Sequence, residues 1–221
     1  MKPRYVLASL IVLMSGAVAA NTQTEPPDCS NPQNPTVVAL VKQGLELEAK
    51  HDLEGAIEAS KQVLAIEPKN ECALNTIAGL YGVMGEFGQE AVWAKRAIEE
   101  NPKFAKAYIN LGNAQGSLGH LREAEAAFKK ARELEPKSPL PIYSLGVLAE
   151  QQRRFQEAIS YYQKSIETDP KFEDGYFNLA AMYANLKRFA EAKATLKNLL
   201  TLNPNAQDAK EMLRQIEHEQ P

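Results

Sequence analysis

From residue 37 onward, small and apolar residues return in one phase every 34 residues, over blocks 37–70, 71–104, 105–138, 139–172 and 173–206. Position 7 of each block holds Gln43, Ile77, Leu111, Leu145 or Leu179, and position 8 holds Gly44, Ala78, Gly112, Gly146 or Ala180. Position 20 reads Ala56, Glu90, Ala124, Ala158, Ala192, and position 27 reads Val63, Ala97, Ala131, Ser165, Leu199. Positions 4, 7, 8 and 11 fall on one face of a helix, and positions 17, 20, 24, 27 and 28 on one face of a second. Between them, Gly85 and Gly119 stand at position 15, where a helix ends in the left-handed conformation open to glycine. Pro68, Pro102, Pro136, Pro170 and Pro204 close the blocks, each stopping the second helix. The pattern predicts five hairpins of helix A, tight turn and helix B, with small residues at positions 8 and 20 letting the backbones approach.

A period of this length marks a chain assembled from one supersecondary unit, whose exposed product is an extended surface. The block resembles the tetratricopeptide repeat family, with Tyr108, Leu111, Gly112, Ala124, Phe128, Ala131 and Pro136 matching the motif in the third block. Tyr176, Leu179, Tyr183, Ala192 and Pro204 match it in the fifth. The resemblance implies an all-α, right-handed superhelical solenoid of five helical hairpins over 37–206, with 207–221 as a capping helix and tail. Ala209, Leu213 and Ile216 lie in phase for that cap. Two blocks depart from the motif. Gln43 at position 7 suits a terminal repeat with a wetted face, and Glu90 at position 20 predicts a helix B that is rotated or shifted.

Residues 1–20 read as a signal peptide: Lys2 and Arg4, an apolar stretch from Val6 to Met14, then Ala17-Val18-Ala19-Ala20. The apolar stretch is shorter than the roughly 20 residues of a membrane span, so no stable span is expected once the leader is cleaved; retention as an anchor is the alternative. Residues 21–36, with Pro26, Pro27, Pro32 and Pro35, form an irregular, proline-rich segment. Loss of Lys2 and Arg4 takes the net charge from −3 to −5, and without a basic block the chain is expected to bind no nucleic acid. Export to an oxidising compartment, most simply the periplasm, makes Cys29 and Cys72 a disulfide candidate. The alternative is a Cys72 that packs as a small hydrophobe beside a free Cys29.

His51, His120 and His218 are scattered, no His or Cys pair has metal-ligand spacing, and no glycine-rich phosphate loop follows a strand. Glu46, Glu48 and Glu54 read as a solvated face. Neither enzyme, cofactor, metal site nor small-molecule substrate is expected.

In the family, A helices line the concave side, and positions 2, 5, 6, 9, 12 and 13 face a groove. The resemblance places Thr76, Lys106, Asn110, Asn113, Tyr143, Ser144, Gln151, Phe177, Asn178 and Asn185 there. Asn and Ser could pair with a ligand backbone while Tyr143, Phe177 and Ile109 take apolar side chains. Replacing Asn110 and Asn178 by alanine should then leave stability nearly unchanged. Gly82 and Gly116 at position 12 would leave space for the ligand. The clamp by which some members hold a C-terminal carboxylate is incomplete: Leu140 and Asp174 stand at position 2 where cations are needed, and Lys106 with Asn110 and Asn113 is only a fragment. The reading is a non-catalytic scaffold for a protein or peptide partner, assisting assembly of an envelope complex. A structural homo-oligomer, or the regulatory subunit of an enzyme complex, stands as the alternative.

Overall fold

The computed structural model describes residues 34–219, and every regular element among them is an α-helix. The leader, the stretch from 21 to 33 and Cys29 lie outside the described residues. Two compact units follow one another along the chain, 34–134 and 135–219. The N-terminal unit holds α1 (Pro35–Ala49), α2 (Leu53–Ile66), α3 (Glu71–Val83), α4 (Phe87–Glu100), α5 (Ala105–Ser117) and α6 (Leu121–Leu134). The C-terminal unit holds α7 (Pro139–Gln151), α8 (Phe155–Thr168), α9 (Glu173–Asn185), α10 (Phe189–Leu202) and α11 (Gln207–Glu219). Consecutive helices pair as the five expected hairpins, and α11 packs on α10 as the expected cap.

The irregular N-terminal stretch ends sooner than its proline content implied. Asn34 accepts a hydrogen bond from the Thr36 amide at 2.9 Å, and Pro35 fits a first helical turn, whose amides have no helical partner anyway. The first helix therefore starts at Pro35.

All five hairpin turns share one geometry. Position 15 holds His51, Gly85, Gly119, Arg153 or Lys187, with φ of 59°, 77°, 81°, 58° and 58°. The next amide reaches back to position 11, as Asp52 to Leu47 at 2.9 Å and Arg154 to Ala149 at 2.8 Å, and the position 15 amide bonds position 12. That pair of bonds satisfies carbonyls the helix end would leave open. Glycines marked two of these turns in the sequence; the other three hold the same conformation against the Cβ clash.

The turns between repeats explain the period of the prolines. Asn101, Asp169 and Asn203, each just before a proline, accept from the amide two residues on at 3.0, 2.9 and 3.0 Å. This side-chain turn suits the fixed φ of the intervening proline. The proline carbonyl then accepts from a tyrosine of the next A helix, Tyr108 to Pro102 and Tyr176 to Pro170, both at 3.2 Å. Asn203 also ties back to Glu173 at 2.8 Å, bracing the start and end of one hairpin.

Within the hairpins, glycine at position 8 makes room for a ring rather than for the position 20 backbone. A Cβ on Gly112 would sit 2.4 Å from the Phe128 ring, and one on Gly146 would sit 2.8 Å from Tyr162. In the first repeat, Gly44 faces Ala59 at 3.8 Å and the Ala56 carbonyl at 4.0 Å, as the small-residue argument expects. The C-terminal core runs through Tyr162, Met182, Leu196 and Ile216, all under 2% exposed. Met212 joins it from the cap, while Leu213 is only half-buried.

The second repeat does not shift. Helix α4 begins at position 17 like its counterparts, and Ala94 and Ala97 are fully buried in phase. Glu90 is accommodated because Gly82 gives way: a Cβ there would lie 2.8 Å from the Glu90 carboxyl. The space at Gly82 is thus filled from within, which corrects the expectation that it awaits a ligand. Burial of Glu90, 3% exposed, raises its pKa to about 8.

A folded-state pKa above the unfolded value means the native chain holds an extra proton between about 4.5 and 8, so Glu90 makes stability fall as pH rises through that window. Glu90→Gln should remove most of that slope and be the more stable form at pH 8, by on the order of 1–3 kcal/mol. Urea titrations of both forms at pH 5 and pH 8 check it; parallel pH dependence would show that Glu90 is not the source.

His51→Gly, Arg153→Gly and Lys187→Gly should each stabilise the fold, by about 0.5–1 kcal/mol, because glycine relieves the left-handed strain at some loss of unfolded-state restriction. Denaturant midpoints of the three single variants measure this, and a loss of stability at all three would contradict it.

Candidate functional site

The A-helix faces are the surface on which the candidate residues fall. In the N-terminal unit, α3 and α5 meet through Asn110, whose Nδ2 donates to Asn75 Oδ1 at 2.9 Å and to the Asn75 carbonyl at 3.3 Å. The C-terminal unit repeats this contact: Asn178 Nδ2 donates to Tyr143 Oη at 2.8 Å and to the Asp174 carbonyl at 3.1 Å. In both, position 6 of one A helix donates to position 5 of the preceding one. The two asparagines are therefore a seam between A helices, with their amides already engaged. Asn178 is only 5% exposed, and Ser144 is 8% exposed. Thr76, Asn113, Gln151 and Asn185 are exposed, and Lys106 and Phe177 are half-buried.

Tyr143 anchors the C-terminal face. Its ring meets Phe172 edge-on at 5.3 Å and tilts on Tyr162 at 5.7 Å. Tyr162, fully buried, donates its hydroxyl to Glu150 Oε2 at 2.7 Å. Burial pushes the Tyr143 phenol well above its usual pKa, the charges of Asp174 and Glu150 push it further, and the Asn178 bond opposes them. The Glu150 carboxyl is itself raised by burial, against the Tyr162 bond. Glu150 was missed from sequence because position 12 varies from repeat to repeat; nothing in its neighbours announced a paired carboxyl.

A second feature escaped notice on α1. Val38, Val41 and Leu45 are 47%, 46% and 58% exposed and share a stripe along the A-helix face. Their spacing of three and four residues was the available signal. Elsewhere, Cys72 is half-buried against the cluster of Leu74, Ala97 and Phe104. On the B-helix side of the C-terminal unit, Gln163, Ile166, Tyr176, Leu179, Thr195 and Asn198 line an open cleft of about 390 Å³. Among the described residues, no three His, Cys, Asp or Glu side chains gather as metal ligands, and no helix is long and apolar enough to cross a membrane.

Tetratricopeptide repeat models match residues 109–171 and 149–219. The chain belongs to the tetratricopeptide repeat family, whose folds serve generally as non-catalytic scaffolds for protein or peptide partners. Over 98 residues, or 44% of this chain, it is 31% identical to the heat-shock protein cognate (HSC) co-chaperone sgt12 of Aspergillus fumigatus, of which the match spans only 28%. TTC0263, a thermophilic tetratricopeptide repeat protein of Thermus thermophilus, superposes with a TM-score of 0.74 at 18% identity over 81% of this chain and 98% of that one. A crystal structure of MamA matches with a TM-score of 0.57 at 25% identity over 78% of this chain and 94% of that one.

The seam reverses the expectation that both asparagines are thermodynamically idle. Asn178→Ala should destabilise the fold by about 1–3 kcal/mol, since a buried amide and its two bonds are lost, and Asn110→Ala by about 0.5–1.5 kcal/mol. Thermal and urea unfolding measure both, with the exposed Asn185→Ala as a control near zero; two neutral asparagine variants would show the seam to be dispensable.

Proposed function

We propose that the chain is a non-catalytic adaptor that binds an extended peptide or a partner helix along its A-helix faces. The observation that carries this is the character of those faces. Val38, Val41 and Leu45 remain exposed on α1, and half-buried Phe177 and exposed Asn185 share α9 in the C-terminal unit. Apolar anchors beside hydrogen-bonding side chains suit a segment that brings both apolar side chains and an unpaired backbone. The similarity to a heat-shock protein cognate (HSC) co-chaperone over 98 residues supports the reading.

The setting follows from the sequence. A leader-like order in residues 1–20 supports export, and an exported scaffold would assist assembly of an envelope complex from the periplasm. In that compartment Cys29 and Cys72 form a bridge closing a 43-residue separation, worth about 3–4 kcal/mol in the chain-entropy account. Cys72 lies in the first turn of α3, and Val37, near the start of α1, packs in one cluster with the adjacent Ala73, which supports the bridge. The exposed stripe on α1 favours one second reading, a homo-oligomer that buries this stripe against another copy.

One preparation tests these statements together. Full-length tagged chain, expressed and recovered from the exported soluble fraction, should show a mature mass starting near Ala20 or Asn21, no thiol labelling without reductant, and a reproducible partner in mass spectrometry. Loss of that partner in a Val41→Glu, Phe177→Ala double variant that melts as the parent does would place it on the A-helix faces. Retention of Met1 in membranes overturns export, two labelled thiols overturn the bridge, and a concentration-dependent dimer abolished by Val41→Glu favours the second reading.

A further inference from the structure

The A-helix face of the C-terminal unit is aromatic, and its ionisable groups are all acids. Tyr143, Val147 and Glu150 share one side of α7 at helical spacing, and Asp174, Phe177 and Ala181 share one side of α9. The Asn178–Tyr143 bond of 2.8 Å holds the two sides together. Glu150 accepts from Tyr162, whose ring lies 5.7 Å from that of Tyr143, and the Asn178 amide that donates to the Tyr143 hydroxyl also donates to the Asp174 carbonyl. Glu150 uses one oxygen for Tyr162, leaving capacity for further donors, since a carboxylate accepts up to about four hydrogen bonds. Among the described residues, no ion pair joins a lysine or arginine to Glu150 or Asp174; Arg154 and Arg188, from the turns after α7 and α9, pair instead with Glu157 and Glu191. Negative charge without an internal counter-ion, set against a tyrosine ring, is an environment that a cation completes.

We propose that this face recognises a partner segment through a lysine or arginine side chain, which lies against the Tyr143 ring with Glu150 and Asp174 as its counter-charges. The aliphatic stem of that side chain packs along Val147, Phe177 and Ala181, as long cationic side chains do on apolar ground. The inference rests on the A-helix face being the binding surface and adds the chemistry of what it takes. It also accounts for Asp174 at a position where a carboxylate-binding relative would need a cation: the preference here is reversed in sign.

The test uses the full chain and three capped five-residue peptides, identical except for arginine, glutamine or glutamate at the centre. Amide shifts in two-dimensional NMR locate binding, and fluorescence anisotropy measures it. The arginine peptide should shift α7 and α9 amides and bind about ten-fold tighter than the glutamine peptide, with the glutamate peptide weakest and the difference shrinking at high salt. An Asp174→Asn variant, at an exposed position, should lose several-fold of that preference, and Glu150→Gln, which keeps a partner for Tyr162, should do likewise at unchanged melting temperature. Equal binding of the arginine and glutamine peptides on α7 and α9 overturns the cation preference and leaves the binding face standing. Shifts confined to α8 and α10, or none at millimolar peptide, overturn both. Shifts of α7 and α9 that follow protein concentration without peptide assign the face to a second copy.

Discussion

Each hairpin depends on one residue held at positive φ. The left-handed turn at position 15 reverses the chain within three residues while closing two hydrogen bonds onto the end of helix A. Helix B therefore returns at a fixed angle, and only at that angle does the ring at position 24 drop onto the glycine at position 8, as Phe128 does on Gly112 and Tyr162 on Gly146. The contact is strict in both directions. Enlarging the glycine drives a carbon against the ring atoms, and shrinking the ring opens a cavity. With the hairpin angle fixed, which side of helix A packs on helix B and which side is left over is fixed too.

The leftover side of helix A is already partly engaged. Positions 5 and 6 stitch neighbouring A helices together, through Asn110 on Asn75 and Asn178 on Tyr143. Outside the stitch lie the stripe of Val38, Val41 and Leu45 on α1, and Asp174 and Asn185 in the C-terminal unit, all of them exposed. Polar side chains at equivalent places in the repeat thus divide between those bonded across helices, such as Asn178, and those left exposed, such as Thr76. What separates them is whether a neighbouring helix already offers an acceptor.

Legibility in the sequence follows the same division. Helix bounds and hairpin pairing could be read from the 34-residue period because each depends on contacts inside a repeat, where residue type and position are tied together. Three of the left-handed turns could not, since His51, Arg153 and Lys187 adopt the conformation under the constraint of the hairpin rather than by preference. The structural role of Asn178 was hidden because its acceptor belongs to the preceding repeat, 35 residues away, and period alone does not say which polar pair meets. Glu150 was hidden for a similar reason: Tyr162 is a core ring by position, and its hydroxyl is what gives the carboxyl a partner.

Glu90 shows how the repeat absorbs an exception. A carboxyl at the small position 20 would be expected to push helix B outward. Instead, a glycine on the facing helix, Gly82, frees volume at the point of conflict, and the helix bounds stay in register. Volume is conserved by a paired change, while charge is not: burial drives Glu90 toward its neutral form, and no ion pair reaches it among the described residues. A neutral carboxyl is a smaller burden on a helical core than an ionised one. The second repeat thus keeps the geometry of its neighbours by giving up a charge, and its stability becomes tied to pH where that of an alanine-bearing repeat is not.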